Sequence, residues 1–362
     1  KRDWSNEVVR RPGRGLPSAE SLDQAVAKLA AAKRPMIIAG GGALAAGDAL
    51  QRLSTQLAAP FFSSVAGKGL LPIEHPLNAG STLCVEPGWQ LIAEADVVLA
   101  IGTEMADTDF WRERLPLNAQ LLRVDVDPRK FNDFYPCAGA LQGDAQQTAL
   151  ALLARLPSAP RDAEAATRAV ATLRQAVTQG HGPLQSIHQA ILDRVSAELP
   201  ANAFISSDMT QLAYTGNYAF PSNAPRSWLH PTGYGTLGYG LPAGIGAKFG
   251  APQRPGLVLV GDGGFLYTAQ ELATAVEELD SPLVVLLWNN DALGPIRDDM
   301  LNLDIEPIGV LPRNPDFAAL ARAFGCTVSE PQNLDELQTD LRNGFKRNGV
   351  TLIELKHACV NL

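Results

Sequence analysis

Apolar residues along this 362-residue chain come in short runs that alternate with helically spaced segments. Residues 36–39, 61–65, 97–101 and 121–126 have strand length and read as buried strands. Between them, 22–31 and 44–57 repeat apolar positions at helical spacing, and Ser18 to Ser21 supplies an N-cap region ahead of the first helix. A second series follows. Residues 204–207, 257–261, 283–288 and 351–355 read as strands, and 184–199, 269–279 and 317–324 as helices. Strands and helices in alternation predict parallel sheets covered by helices on both faces. The fold class expected is therefore α/β, with two doubly wound, Rossmann-like domains of similar size.

Composition changes between these series. Residues 1–17 are polar and arginine-rich and contain Pro12, Gly13, Gly15 and Pro17, so they read as a linker. Residues 158–182, rich in Ala, Arg, Asp and Pro with a modest helical signal, read as a second one. The expected division is a linker at 1–17, a central domain at 18–157, a linker at 158–182 and a second domain at 183–362.

With 46% hydrophobic and 19% charged residues the composition is globular, and a formal charge of -8 argues against a nucleic-acid partner. Cys84, Cys137, Cys326 and Cys359 lie far apart without metal-type spacing, so free thiols in a reducing compartment are expected. No apolar run reaches membrane-spanning length and the N-terminus shows no signal-peptide core, so no membrane partner and a cytoplasmic location are expected.

One unit carries chemistry. The apolar run ending in Gly261-Asp262-Gly263-Gly264 leads into a helical pattern in which Ala269, Leu272, Ala273, Val276 and Leu279 share a face. A second apolar run then ends in Asn289-Asn290. Such a β-α-β unit returns its second strand parallel to the first, so Asp262 and Asn290 belong at the carboxyl ends of the strands, where open α/β sheets bind ligands. A carboxylate and a carboxamide are hard oxygen donors suited to Mg²⁺. Gly263 and Gly264 let backbone approach a diphosphate closely. Either piece alone reads as an ordinary turn or strand cap; the two at the ends of one unit do not.

In this context the chain resembles the thiamine-diphosphate enzyme superfamily, in its acetolactate synthase and benzoylformate decarboxylase-like branch, over nearly its whole length. The resemblance implies thiamine diphosphate and Mg²⁺ as cofactors, with Asp262 and Asn290 binding the metal by side chain and Ala292 by its backbone carbonyl. The stretch from His230 to Ala247 is similar to the segment that bends the cofactor. It implies that the Gly235 carbonyl accepts from the aminopyrimidine and that Leu237 wedges between the rings. Met209 and Thr210 fall where relatives contact the diphosphate, beside Gly261, Gly263 and Gly264.

Two departures stand out. The family's activating glutamate lies in an N-terminal pyrimidine-binding domain that is not found here, so the chain is expected to be a fragment, inactive alone. The position that bears an aromatic specificity residue in acetolactate synthases holds Asp299, next to Asp298 and Arg297. Acids there would favour a 2-oxo acid with a cationic tail, as in guanidino-oxopentanoate decarboxylases. Solvated acids, or acids paired with Arg297, are the plainer reading. The resemblance further implies a small-molecule 2-oxo acid as substrate and a homodimer or homotetramer. Gly40, Gly41 and Gly42 form a strand-to-helix turn without a spaced GxGxxG or a ribose-binding acid, so a structural role is expected there and no FAD. Decarboxylation leads; carboligation, a non-catalytic cofactor-binding module and an NAD-binding protein remain as alternatives.

Overall fold

The computed structural model describes residues 13–360. Two six-stranded sheets follow each other along the chain, and every strand pairing in them is parallel. The first comprises β1 Pro35–Ala39, β2 Phe61–Ser63, β3 Asn78–Gly80, β4 Val97–Ile101, β5 Gln120–Asp125 and β6 Gly139–Gln142, in the order β3-β2-β1-β4-β5-β6. The second comprises β7 Phe204–Ser207, β8 Trp228–Leu229, β9 Gly256–Gly261, β10 Leu283–Asn289, β11 Thr327–Ser329 and β12 Val350–Lys356, in the order β11-β12-β10-β9-β7-β8. The chain reverses its direction of travel between β7 and β9, which opens a crevice outside the carboxyl ends of those strands.

The unbroken apolar runs are the central strands, because both of their faces are covered. Along β10, Val284, Leu286 and Trp288 enter one core while Leu283, Val285 and Leu287 enter the core on the opposite face. The first sheet is likewise clothed on both sides. Expected and observed strands coincide within a residue or two. The strands that the pattern does not announce, β3, β6, β8 and β11, are the four edge strands and are short. Their backbone finds partners through pairing, not through an apolar signature.

The expected helix at 269–279 departs from its expected face. A short helix, Asp262–Leu266, precedes it, residues 269–271 form a 3₁₀ turn, and within the expected span only Leu272–Glu278 is α-helical. Ala269, Leu272 and Leu279 are buried as expected, but Ala275 joins them and Ala273 and Val276 face solvent. The tighter opening turn rotates the helix about its axis relative to a continuous α-helical register. Residues 41–46 show the same feature, a 3₁₀ turn before the helix Gly47–Leu57. Ser18 caps the first helix by accepting from the Ser21 N–H at 3.1 Å.

Of the 1–17 segment, residues 1–12 lie outside the described residues; in the remainder the Gly15 carbonyl accepts from the Asp144 N–H at 2.8 Å. The 158–182 connection contains the helix Glu164–Gln179, whose Val170 and Leu173 are buried in the core of the first sheet. Arg174 from that helix donates to the carbonyls of Asn78, Ile73 and His75. The segment is thus a connection along the chain and a packed layer in space. Among the described residues no helix is long and apolar enough to cross a membrane.

Lys68 ties the two halves together. Its buried ammonium donates to the carbonyls of Gly216, Asn217 and Phe220 at 3.1, 2.8 and 2.9 Å, closing the C-terminal end of the helix Gln211–Ala219. Burial pushes this group down to about 7 and the nearby Cys84 pulls it part of the way back; as an ammonium it has one proton for each of the three carbonyls. Lys68→Met takes the donor from the Asn217 and Phe220 carbonyls, while Gly216 keeps the Phe220 N–H, and is expected to destabilise the protein by about 3 kcal/mol, read from its denaturation midpoint.

His188 is a second buried polar group, its Nδ1 2.9 Å from Thr215 Oγ1 and its ring edge-on to Trp288. Burial first, then His357 and His181, push its imidazole down to about 4. The unfolded chain takes up this proton near pH 6.5, so the stability is fully present above that pH and is lost as pH falls toward 4, by about 3 kcal/mol. Thermal denaturation of wild type across this range is expected to show the acid limb, and His188→Phe to make it shallower, the remainder coming from His230, which burial also pushes down to about 4.

Candidate active site

The crevice at the switch point holds a cleft of about 230 Å³ lined by Met209, Thr210, Gln211, Tyr214, Gly235, Leu237, residues 261–264, Asn290 and residues 292–296. These come from three strand ends, β7, β9 and β10, and from the loop before the helix Gly240–Gly250. Every cofactor- and metal-binding candidate read from the sequence lines this one space.

Asp208, directly after β7, organises the loop. It is 1% exposed, and its Oδ1 accepts from the Met209 and Gly238 N–H groups at 2.8 and 3.1 Å while Oδ2 accepts from Gly240 at 2.9 Å. Burial pushes this carboxyl up and the N–H donors pull it back. The carboxylate thereby fixes the loop that presents Gly235 and Leu237 to the cleft. Gly235 has φ +70, a conformation that a residue with a Cβ adopts only with strain. Gly264 is small because of Asp208: a Cβ there would lie 2.8 Å from the Asp208 Oδ1.

Asp262, at the end of β9, is 3% exposed. Its Oδ1 accepts from the Gly263 N–H at 2.9 Å and its Oδ2 from Asn314 Nδ2 at 2.8 Å. The Gly263 N–H expected to face a ligand is therefore engaged by its neighbour's carboxylate. Desolvation pushes Asp262 up, Asn314 and Gly263 lower it, and Asp291 raises it further. Among the described residues its partners are N–H groups, and no Lys or Arg pairs with it. A buried carboxylate without a cationic partner is the arrangement an external cation completes.

The two asparagines after β10 separate in role. Asn289 points into the sheet, its Nδ2 donating to the buried Glu354 at 2.8 Å. Asn290 faces the cleft, its Nδ2 donating to Gln211 Oε1 at 3.0 Å. Asp291 has φ +52, a left-handed turn that brings Ala292 back to the cleft wall. Asp262, Asn290 and the Ala292 carbonyl are all hard oxygen donors, so the residues present fit Mg²⁺, and the space beside them fits a phosphorylated cofactor.

The substrate candidates lie further out on the helix Gly294–Asn302. Asp298 is half-buried, paired with Arg297 at 2.8 Å, and Gln211 Nε2 reaches its Oδ2 at 3.4 Å. Gln211 therefore spans from Asn290 to Asp298. Asp299 is exposed and does not line the cleft; Ile296 does. In the first sheet, the turn at Gly40 to Gly42 packs on the β4 end, Gly42 N–H donating to the Gly102 carbonyl at 2.9 Å.

Sequence reasoning passed over Asp208, Gln211, Tyr214, Ile296 and Asn314. Asp208 and Gln211 had a signal, being polar residues immediately after a buried strand. Tyr214 lies in an ordinary helix, where burial pushes its hydroxyl up to about 12. Asn314 lies in a loop with no pattern.

Comparison with known proteins agrees with this fold. The model of the thiamine pyrophosphate enzyme central domain matches residues 22–152, and that of the thiamine pyrophosphate enzyme C-terminal TPP binding domain matches residues 208–355. The chain is 75% identical over 357 residues to AruI of Pseudomonas aeruginosa, named a probable 2-ketoarginine decarboxylase, covering 99% of this chain and 64% of that protein. It is 30% identical to the large subunit of acetolactate synthase isozyme 1 of Escherichia coli, covering 94% of this chain and 61% of the relative. The chain thus spans somewhat under two thirds of the curated relatives' lengths. Its fold matches, at a TM-score of 0.75 and 23% identity, the X-ray structure of a Mycobacterium smegmatis protein described as of thiamin diphosphate-dependent type, covering 98% of this chain and 67% of that one. The two matched models cover the whole first sheet and all of the second but β7 and the last residue of β12, and the chain belongs to the thiamine pyrophosphate enzyme family.

Proposed function

We propose that this chain is the cofactor- and metal-holding part of a thiamine-diphosphate- and Mg²⁺-dependent, cytoplasmic decarboxylase acting on a 2-oxo acid with a guanidino tail. The observation that carries the reading is the meeting of Asp262, Asn290, Ala292, Gly235 and Leu237 in one cleft. Identity of 75% to a protein named a probable 2-ketoarginine decarboxylase supports the substrate. Bound there, thiamine diphosphate supplies the electron sink that a 2-oxo acid needs in order to lose CO₂. The chain's own residues do the rest. Asp262 and Asn290 hold the metal that neutralises the diphosphate, with Thr210, Gly261, Gly263 and Gly264 lining the same space. Met209 and Leu237 supply apolar walls, and Asp208 keeps Leu237 in place.

No glutamate lines the cleft among the described residues. We assign the activating glutamate, and the pyrimidine-binding domain that carries it, to polypeptide beyond these residues, so that the chain alone is inactive. Exposed aromatic side chains support a covering partner: Tyr234 and Tyr267 lie within three residues along the chain of the lining residues Gly235 and Gly264. A homodimer or homotetramer that seals the cleft follows from this reading. Of the two acids on the outer helix, Asp298 is the better placed to meet a guanidinium, through its link to Gln211. The likeness to acetolactate synthase favours carboligation as the second reading; release of an aldehyde, not a longer keto acid, separates the two.

Two measurements test the proposal. Asp262→Asn or Asn290→Ala is expected to weaken Mg²⁺-dependent binding of thiamine diphosphate, followed by calorimetry, by more than the roughly 100-fold that loss of an outer-shell partner costs. Binding that survives both substitutions sinks the site. In the full-length protein, 5-guanidino-2-oxopentanoate is expected to be decarboxylated faster than pyruvate, and Asp298→Asn to lose about tenfold in kcat/KM for the guanidino acid alone. A preference for pyruvate removes the substrate assignment.

A further inference from the structure

Asn314 stands at the entry to the helix Phe317–Ala323, whose N-cap Asp316 accepts from the Ala319 N–H at 2.7 Å. Its Nδ2 lies 2.8 Å from Asp262 Oδ2, 3.1 Å from Asn289 Oδ1 and 3.0 Å from Asp291 Oδ1. Three oxygens from the ends of two neighbouring strands thus converge on one amide nitrogen that has two hydrogens to give. Two of the oxygens belong to carboxylates, and among the described residues no Lys or Arg serves Asp262. The Asn314 amide is the donor that lets Asp262 and Asp291 lie side by side.

The other end of the amide strengthens the point. Asn314 Oδ1 is buried with no hydrogen-bond partner among the described residues. A buried orphan acceptor costs stability and calls for an explanation. Turning the amide over would move the oxygen out of that position but set it against three other oxygens. The cost at Oδ1 is tolerated because the donor is required at the strand ends. Asp262 is then held by the Gly263 N–H on Oδ1 and by Asn314 on Oδ2, with the Ala292 N–H also directed at the carboxylate, which together fix its plane.

We propose that Asn314 is a positioning residue for the divalent cation. Its amide joins Asp262 to the Asn289–Asp291 turn, so that the metal-facing groups from β9 and β10 are held as one preformed unit. This rests on the reading of Asp262 and Asn290 as magnesium ligands.

The test uses the full-length protein and two variants, Asn314→Leu, which keeps the volume without a donor, and Asn314→Ser. Mg²⁺ is titrated calorimetrically at saturating thiamine diphosphate, and the Mg²⁺ dependence of turnover is recorded in parallel. The Leu variant is expected to bind Mg²⁺ about 10–100-fold more weakly. Its metal-free unfolding midpoint is expected to fall with the lost donor without loss of the folded state, and kcat should recover when Mg²⁺ is raised. Mg²⁺ affinity within about twofold of wild type in the folded Leu variant overturns the proposal, as does a loss of turnover that added Mg²⁺ does not restore. Should the Leu variant misfold, the Ser variant is judged by the same criteria; misfolding of both assigns Asn314 to the fold and overturns the metal role. Wild-type protein that takes up no Mg²⁺ removes the magnesium reading as well, whereas unaffected variants beside a Mg²⁺-binding wild type remove only this inference.

Discussion

Asp208 and Asp262 sit after neighbouring parallel strands, both almost wholly shielded from water, and each is held chiefly by backbone or amide N–H groups. Burying a carboxylate in this way is costly unless hydrogen bonds or a cation answer it. At Asp208 the answer is complete, and the result is a fixed loop. At Asp262 it is partial, and that is where we propose that a metal binds. The same physical constraint thus builds a scaffold at one strand end and the proposed binding group at the next.

The remaining features follow from that pair. Gly264 has no side chain because Asp208 approaches it, and the loop that Asp208 pins carries Gly235 and Leu237 to the opposite wall. Gln211 connects Asn290 with Asp298, so the inner donor set and the outer helix are not independent. The link to Asp298 is long and its Arg297 pair is partly solvated, so the geometry there is soft compared with the strand ends.

The first sheet contributes differently. Its glycine turn is filled by contacts with the β4 end, while Lys68 and Val65 reach into the second half. The helix Gln211–Ala219, which begins beside the cleft and ends on Lys68, is the element through which the first half supports the site.

Strand and helix order, the doubly wound class and the position of the motif residues were legible in the amino-acid sequence, because parallel strands covered on both faces must be continuously apolar and their carboxyl ends must collect polar residues. The short edge strands were not, because pairing holds them without a periodic signature, and the helix at 164–179, of which only Val170 and Leu173 are fully buried, gave a helical signal too modest to mark it as a packed layer. Asn289 and Asn290 are indistinguishable as adjacent letters; the alternation of side chains at the end of a strand decided which one enters the sheet and which meets the cleft. Asp299 could be counted from Asn290 along the chain, yet helical geometry turned it to solvent and left Asp298 nearer the site. Asn314 reaches Asp262 only across the fold, and no local pattern encodes such a contact. Sequence determined which chemical groups stand at the strand ends, and tertiary structure determined which of them face one another.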